Sequence, residues 1–335
     1  TITGSNIANS NIANSTINTS ALISSNITAS TMTESASQNS TISSSAITDS
    51  DINHSVAINS SVISSTGHNL TARDSAINTS ALTSSAIVNS SIQNSTVKNS
   101  TIYNSDTDMS TINDTRVSNG TITRSTMTRG SAENSTINTS AVYESRLNRS
   151  RAENSTVSNS TISESLVTHS QVWNSTAQNA TISGSQIGTS VIDASTIQYS
   201  NMTNTTINSS IIDTVNAVTA NITNSTIYNS RIENSTIYGS TLINVTLFGT
   251  TTQNCTIQNA TITRANLTNN TIEGSAVADS NLSASIVNNS IVNASNIDSS
   301  DILNSTAINT TLTNCSISLS SLASVTGSNC VIQSS

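Results

Sequence analysis

Proline is absent from all 335 residues of the chain, although average usage of about 5% would supply roughly 17 prolines. Because proline lacks the amide hydrogen that a strand ladder requires, its absence favours a backbone paired along its whole length. No apolar run exceeds three or four residues, so we expect no membrane-spanning helix. The chain begins with Thr1 already inside its repeat, which suggests a processed or partial chain.

Charge and reactive side chains are also scarce. Only 8% of residues are charged and the net charge is −8, which argues against nucleic-acid binding and leaves no basic patch for anionic membranes. His54, His68 and His169 stand far apart in the sequence, and no glycine-rich phosphate loop or Cys/His metal spacing occurs. The sequence therefore predicts a non-enzymatic protein without catalytic residues, cofactor or bound metal.

A five-residue repeat runs through the chain in one unbroken frame. The second place of the repeat is Ile, Leu, Val or Met in 55 of 67 copies, and the fifth place is Ser in 49. A period of five places successive side chains about 140° apart around a helix and on alternate faces of a strand. Neither element would bury the aliphatic column, so the chain must turn once in every repeat.

The stretch Ser225-Thr226-Ile227-Tyr228-Asn229, which starts at the fifth place of one copy, illustrates the predicted local structure. An extended segment over its first three residues directs Ser225 and Ile227 inward and Thr226 outward, and the last two residues form a corner. Thr and Ile favour extended backbone, whereas Asn and Gly tolerate left-handed corner geometry. Stacked turns of this kind give an all-β solenoid with parallel strand pairing.

The same frame resembles that of the pentapeptide-repeat proteins, whose repeat is Ala-Asp/Asn-Leu-x-x, with Ser, Thr and Ile in their place here. The resemblance covers the whole chain. It implies a right-handed, quadrilateral parallel β-helix with 20 residues per coil, hence about 16.75 coils, in a single uninterrupted domain over residues 1–335. Neither end shows a cap, which suggests that protein continues beyond the ends or that copies pair end to end.

A 20-residue coil places residues 20 apart in one column. One such column is acidic, and its carboxylates, roughly 5 Å apart, are weak candidates for a cation-binding ridge, with a solvated, Arg-neutralised face as the simpler interpretation. The residues are Glu133, Glu153, Asp193, Asp213, Glu233 and Glu273.

A second column holds large apolar residues on an outward corner, which suggests a lateral contact as readily as scattered surface side chains. Its members are Ile23, Ile63, Tyr103 and Tyr143. Corner asparagines followed by Ser-Thr match the glycosylation pattern, although the structural repeat alone also generates it. They are Asn14, Asn39, Asn94, Asn154, Asn174, Asn224 and Asn304.

Two irregular features complete the prediction. Residues 55–74 carry Ala57, Gly67 and Ala72 in the aliphatic column and Leu70 in place of Ser, so a bulged or repacked coil is expected there. Cys255, Cys315 and Cys330 all occupy the inward small-residue place. A buried thiol replacing Ser is the simpler interpretation, and a Cys315–Cys330 bridge between neighbouring sides remains open.

The leading functional hypothesis is a structural solenoid that forms or decorates an extracellular or cell-surface filament, sheath or adhesive stalk. Its expected partners are other copies, head to tail or laterally, with glycans or divalent cations as further ligands. The resemblance supplies an alternative, a DNA-mimicking protein that binds gyrase, but duplex DNA carries one charge per about 1.7 Å, far more than a net −8 provides. A ladder of outward Thr side chains suggests ice binding as a third hypothesis.

Overall fold

The computed structural model describes residues 1–318 and 320–333 and contains 67 strands and no helix within them. The first strand is Ile2–Thr3, and each later repeat forms a strand over its first three residues, from Asn6–Ala8 and Asn11–Ala13 to Val331–Gln333. These described residues include no helix long and apolar enough to cross a membrane. The predicted all-β solenoid is confirmed.

Each repeat turns at its fourth residue. In every described repeat this residue has a φ of 46–60°, the left-handed region. Asn229, with φ 46°, follows the strand Thr226–Tyr228, so the strand lies one residue later than the sequence predicted. Asn is the commonest residue at this place because its short polar side chain tolerates left-handed backbone better than most L-residues do.

The chain divides into two compact units, residues 1–171 and 172–335. In the first unit, each strand pairs in parallel with the strand three repeats later: Ile2 faces Ile17, Ile47 faces Val62 and Ile122 faces Ile137. A coil therefore holds three strands. Each strand of a coil belongs to one of three sheets, called the first, second and third face.

The second unit has the same three-repeat register. Ile212 faces Ile227 on its first face, Ile232 faces Leu247 on its second face and Ile222 faces Ile237 on its third face. The predicted coil of four repeats and its count of 16.75 coils are thus corrected to three repeats per coil and about 22 coils. The period of five required one turn per repeat, but the angle of that turn depends on corner dihedrals that composition does not specify.

The interior of each unit alternates apolar and hydroxyl side chains. Ile227 is fully buried and Ser225 is 3% exposed, as the repeat predicts. The hydroxyl of Ser225 donates a hydrogen bond to the carbonyl oxygen of Thr223 at 2.8 Å and accepts one from the amide of Ser210 at 3.2 Å. The hydroxyl thus forms hydrogen bonds with two backbone groups at the corner, where the ladder between strands is interrupted.

Of the two alternatives predicted for residues 55–74, a bulge is excluded, because the strands there keep a regular register: Ala57 faces Ala72, and Gly67 faces Leu82. Leu70 is 1% exposed and fills the space that the small residues leave. A Cβ on Gly67 would lie 3.0 Å from Cδ2 of Leu70 and 2.7 Å from Cδ2 of Leu82. The coil is repacked inside an unchanged backbone.

Candidate functional site

The six carboxylates of the predicted acidic ridge do not stack, because columns recur after three repeats rather than four. Glu133 faces Asn148, and Glu153 lies on a different face, opposite Thr168. The second unit separates the others in the same way, with partners that carry no charge: Asp193 faces Asn208, Asp213 faces Tyr228, Glu233 faces Phe248 and Glu273 faces Asn288. The cation-ridge prediction is therefore corrected.

The three-repeat register instead gathers charges into a belt over residues 106–153, in the first unit. The belt contains six of the chain's ten cationic side chains and six of its eighteen acidic ones, so its formal charge is balanced. Columns of residues four repeats apart do not contain this belt, but the local density of Arg in the sequence indicates it. The belt comprises Asp106, Asp108, Asp114, Arg116, Arg124, Arg129, Glu133, Glu144, Arg146, Arg149, Arg151 and Glu153.

Ion pairs link the belt from coil to coil. Glu133 accepts hydrogen bonds from Arg116 at 2.5 Å and from Arg149 at 2.7 Å, and these two guanidinium groups lower the pKa of its carboxyl. Arg129 donates from Nε to Asp114 at 2.8 Å. That hydrogen bond lowers the pKa of Asp114 and raises the pKa of Arg129.

Arg124 makes a similar pair with Asp108, and its hydrogen bond lowers the pKa of that carboxyl. Salt screens exposed pairs of this kind, which usually add little stability one by one. The network of ion pairs therefore shapes the charged surface more than it stabilises the fold.

A groove of about 460 Å³ opens in the belt where Gly130 and Ser131 separate larger side chains. Arg116 and Arg146 border it on the third face of the first unit, and Glu144 lies at its corner. Within the described part of the chain, Glu144 and Arg146 form no ion pair, and their charges remain available to a polar partner. The mixed charge of the lining does not favour a simple anion or a simple cation.

The predicted apolar row is exposed but does not form a row. Ile23 is 46% exposed, Ile63 36%, Tyr103 44% and Tyr143 40%. Ile23 and Tyr143 lie on the second face of the first unit, Ile63 on the first and Tyr103 on the third. Their prediction as one lateral contact is therefore corrected, since a partner surface meeting one face cannot reach the other two.

Apolar side chains also lie on the first face of the second unit, around the carboxylate of Asp213, which faces Tyr228. Ile211 faces Thr196. The strand of Thr196 ends at Gln198, just before the corner residue Tyr199. Tyr228 faces Ile243. Tyr199 is 65% exposed and Ile211 50%. We call these four residues, Tyr199, Ile211, Tyr228 and Ile243, the apolar patch. It spans four successive coils and could be found in the sequence only with the three-repeat period.

The ring of Trp173, the single tryptophan of the chain, packs on a glycine. Trp173 lies over Gly188, the residue three repeats later, and a Cβ on Gly188 would stand only 1.9 Å from the tryptophan ring. Gly188 is buried, whereas Trp173 is 41% exposed. Elsewhere in the second unit, Arg264 lies over the ring of Phe248 at 5.4 Å. Both aromatic rings therefore pack against other residues of their own unit.

The corner asparagines are placed as predicted. All seven candidates for glycosylation, from Asn14 to Asn304, are exposed and have φ between 48 and 53°. Their side chains point away from the core, where a glycan would meet no steric obstacle from the buried residues. Glycosylation itself stays a prediction.

Two groups of polar residues come together that the sequence left apart. The rings of His54 and His68 meet edge to face with centroids 6.1 Å apart, and Asn69 shares a hydrogen bond with His54 at 3.0 Å. Glu34, Asp49 and Asp51 line one groove of about 320 Å³. Nowhere in residues 1–318 and 320–333 do three His, Cys, Asp or Glu side chains form a group able to hold a metal ion.

Comparison with known proteins gives structural likenesses at low identity. No family model and no curated protein matches the sequence. Similar solved structures include QnrB1, a plasmid-mediated fluoroquinolone resistance protein, with 11% identity over 50% of this chain and 93% of that one at a TM-score of 0.19. HetL, a pentapeptide repeat protein involved in heterocyst differentiation regulation in the cyanobacterium Nostoc, shows 10% identity over 67% and 87% at 0.16.

The chain is a β-solenoid of pentapeptide repeats. The PL6 family alginate lyase AlyGC is also similar, with 8% identity over 99% of this chain and 96% of that one at a TM-score of 0.26. All of these TM-scores lie below 0.5, so the fold rests on the register of the chain itself. The solenoid shares the five-residue frame of the pentapeptide-repeat proteins, but its coil closes after three repeats.

Proposed function

We propose that the solenoid is a structural, non-enzymatic protein that forms or decorates an extracellular filament, sheath or adhesive stalk. The observation that carries the proposal is the uniform bonding between coils. In each unit, backbone ladders join every strand to its neighbours, and buried Ser hydroxyls join most corners, as between Ser210 and Ser225. Such repetition yields stability and stiffness in proportion to length, without requiring a site that performs chemistry.

Self-association is the partner relationship that the exposed surfaces favour. The apolar patch exposes aromatic and aliphatic side chains on one face, which is costly for a protein that remains alone in water. The charged belt offers both signs of charge, so two copies can meet there without net repulsion. Lateral contact through these surfaces would thicken a filament.

Analytical ultracentrifugation and electron microscopy of the full chain test the proposal. We expect concentration-dependent assemblies that Tyr199→Ser and Ile211→Ser together weaken. The matched control is Thr196→Ser, which changes the same face without removing a large apolar side chain. Isolated monomers at every concentration, both in purified form and in native material, would count against a filament or sheath.

Ice binding is a second candidate, although the ladder expected from the sequence is not formed as such. Thr96, Thr136 and Thr156 lie on the second, first and second faces of the first unit. The second unit instead stacks Thr226, Thr241, Thr256 and Thr271 over four successive coils of its first face. A regular row of hydroxyl and methyl groups about 4.8 Å apart is a suitable surface for ordered water.

Thermal hysteresis measurements separate the two candidates. For ice binding, we expect the full chain to lower the freezing point below the melting point, and Thr241→Tyr and Thr256→Tyr, which disrupt the row, to abolish the effect. Thr251→Tyr on the third face is the matched control. Ordinary ice growth in the presence of the unaltered chain would reject ice binding and leave the structural proposal untouched.

A further inference from the structure

Cys315 and Cys330 are successive members of one column of inward side chains in the second unit, not residues of neighbouring sides as a coil of four repeats implied. The residues that follow them, Ser316 and Val331, face each other in the parallel ladder. The amide of Val331 donates a hydrogen bond to the carbonyl oxygen of Cys315 at 2.9 Å. Neighbouring parallel strands lie about 4.8 Å apart, within the range of roughly 4.4–6.8 Å between Cα atoms that a disulfide spans.

The two thiols also have the same orientation. Sγ of Cys315 donates to the carbonyl oxygen of Thr313 at 3.1 Å, and Sγ of Cys330 donates to that of Ser328 at 3.3 Å. Burial and, to a smaller extent, the neighbouring thiol of Cys330 raise the pKa of the Cys315 thiol. Gly327 places no side chain beside Cys330, since even an added Cβ would stand 3.7 Å from its Sγ. The thiol of Cys330 therefore has room to rotate on the side of Gly327.

We propose that Cys315 and Cys330 form a redox-active dithiol that closes to a disulfide by exchange with a small-molecule disulfide such as oxidised glutathione. One thiolate attacks the small disulfide and releases one thiol from it, giving a mixed disulfide. The second cysteine, as its thiolate, then attacks the protein sulfur and releases the second small thiol. Two protein thiols are oxidised, one small disulfide is reduced to two thiols, and the two protons pass to those products.

Exposure sets the order of the two steps. Cys330 is half-buried and Cys315 is buried, so the small disulfide reaches Cys330 first. Burial raises the pKa of the Cys315 thiol, which suppresses its direct reaction with solvent reagents. Once Cys330 carries the adduct, the proximity of Cys315 makes the second exchange intramolecular. The inference is independent of the filament proposal, because the pair lies inside one unit.

The closed disulfide ties two adjacent coils together. It bridges cysteines three repeats apart, and a loop of that length restricts the opened state enough to change a local opening equilibrium about a hundredfold. The amide of Val331 reports this opening, since its hydrogen bond to Cys315 breaks when the coils separate. The stability of this part of the solenoid therefore depends on the redox state of its surroundings.

Thiol counting on the full chain tests the proposal. We incubate the reduced protein with oxidised glutathione, denature it in acid and titrate the free thiols. We expect one free thiol instead of three, a mass lower by two hydrogens, no retained glutathione and a monomer on a non-reducing gel. Hydrogen exchange at Val331 should slow about a hundredfold.

Three serine variants provide the controls, and each restores the residue that the repeat favours at this place. Cys255→Ser should leave the pairing intact, because the column neighbours of Cys255 are Ser240 and Asn270, and Asn270 accepts its amide hydrogen bond at 2.9 Å. Cys315→Ser should trap a stable glutathione adduct on Cys330, and Cys330→Ser should abolish oxidation. Three free thiols, an adduct persisting in the unaltered chain or linked dimers would overturn the proposal.

Discussion

The amide of Ser210 donates a hydrogen bond to the hydroxyl of Ser225, three repeats later, at 3.2 Å. The two residues are 3% exposed, so water does not replace this contact. Ser225→Ala leaves the amide of Ser210 and the carbonyl of Thr223 without their hydroxyl partner. We expect the variant to lower the free energy of local opening by about 1–3 kcal/mol, the usual cost of a buried unsatisfied group.

Hydrogen exchange at the Ser210 amide measures that cost, because solenoids open locally rather than all at once. Thr226→Ala, an outward change in the next position, is the control and should alter exchange by less than about 0.5 kcal/mol. Equal protection in both variants would show that the hydroxyl column is dispensable.

The partnership of Gly67 and Leu70 predicts a strong energetic coupling. Leu70→Ser restores the usual residue but empties the space beside Gly67, and we expect a loss of about 2–5 kcal/mol in the free energy of unfolding. Gly67→Leu alone overfills the same space and should cost about 1–3 kcal/mol.

The double variant should lose less free energy of unfolding than the two single variants lose together, because leucine at position 67 fills the space that Leu70→Ser empties. Urea titration followed by circular dichroism gives the three values. Ile77→Val, a milder change in the same unit, calibrates the assay at about 0.5–1.5 kcal/mol. Simple additivity would contradict the packing described for this coil.

The sequence predicts the burial pattern of this protein far better than its surface. Ile227 and Ser225 are inside and Thr226 is outside as the repeat requires, because inward and outward places follow from strand geometry alone. The number of repeats per coil depends on the corner angle, which the repeat itself does not specify. That one quantity decides which outward residues meet, and Glu133 and Glu153, which would stack in a coil of four repeats, lie on different faces.

Corner residues with bulky side chains are expected to limit stability. Met109 adopts φ 47°, although its side chain gains little burial there, being 43% exposed. Met109→Asn should raise the free energy of unfolding by roughly 0.5–1 kcal/mol, because left-handed backbone costs most L-residues about 1–2 kcal/mol and Asn less.

Gly239→Ala tests the same corner geometry in the opposite direction. Gly239 has φ 58°, and its added Cβ would stand 2.8 Å from Oδ1 of Asn224. We expect a loss of roughly 1 kcal/mol in thermal or urea unfolding. A gain in stability for this variant would contradict the left-handed assignment.

The ion pairs of the charged belt predict a loss of stability in acid. Hydrogen bonds from Arg lower the pKa of Asp108, Asp114 and Glu133 below their ordinary values. The unfolded chain binds these protons more tightly, so the contribution is complete above the ordinary carboxyl pKa and disappears as the pH falls through the lowered folded value.

Carboxyl resonances followed by nuclear magnetic resonance give the folded pKa values directly. Arg129→Gln should raise the pKa of Asp114 toward its ordinary value and leave that of Glu133 unchanged, because Arg116 and Arg149 hold Glu133 instead. Added salt should reduce all three shifts. Identical titration curves with and without Arg129 would refute the pair.

Fluorescence can report the contact between Trp173 and Gly188, because Trp173 is the only tryptophan of the chain. A side chain on Gly188 cannot coexist with the ring of Trp173 in its present position, since even a Cβ would stand 1.9 Å from it. Gly188→Ala should therefore push the ring into solvent, shift its fluorescence emission to longer wavelength and increase quenching by iodide. Thr203, the next residue of the same column, supplies the control Thr203→Ala, which leaves the ring undisturbed. Because the backbone of Gly188 has no left-handed φ, Ala fits the strand itself, and any shift in emission reports the contact with Trp173 alone.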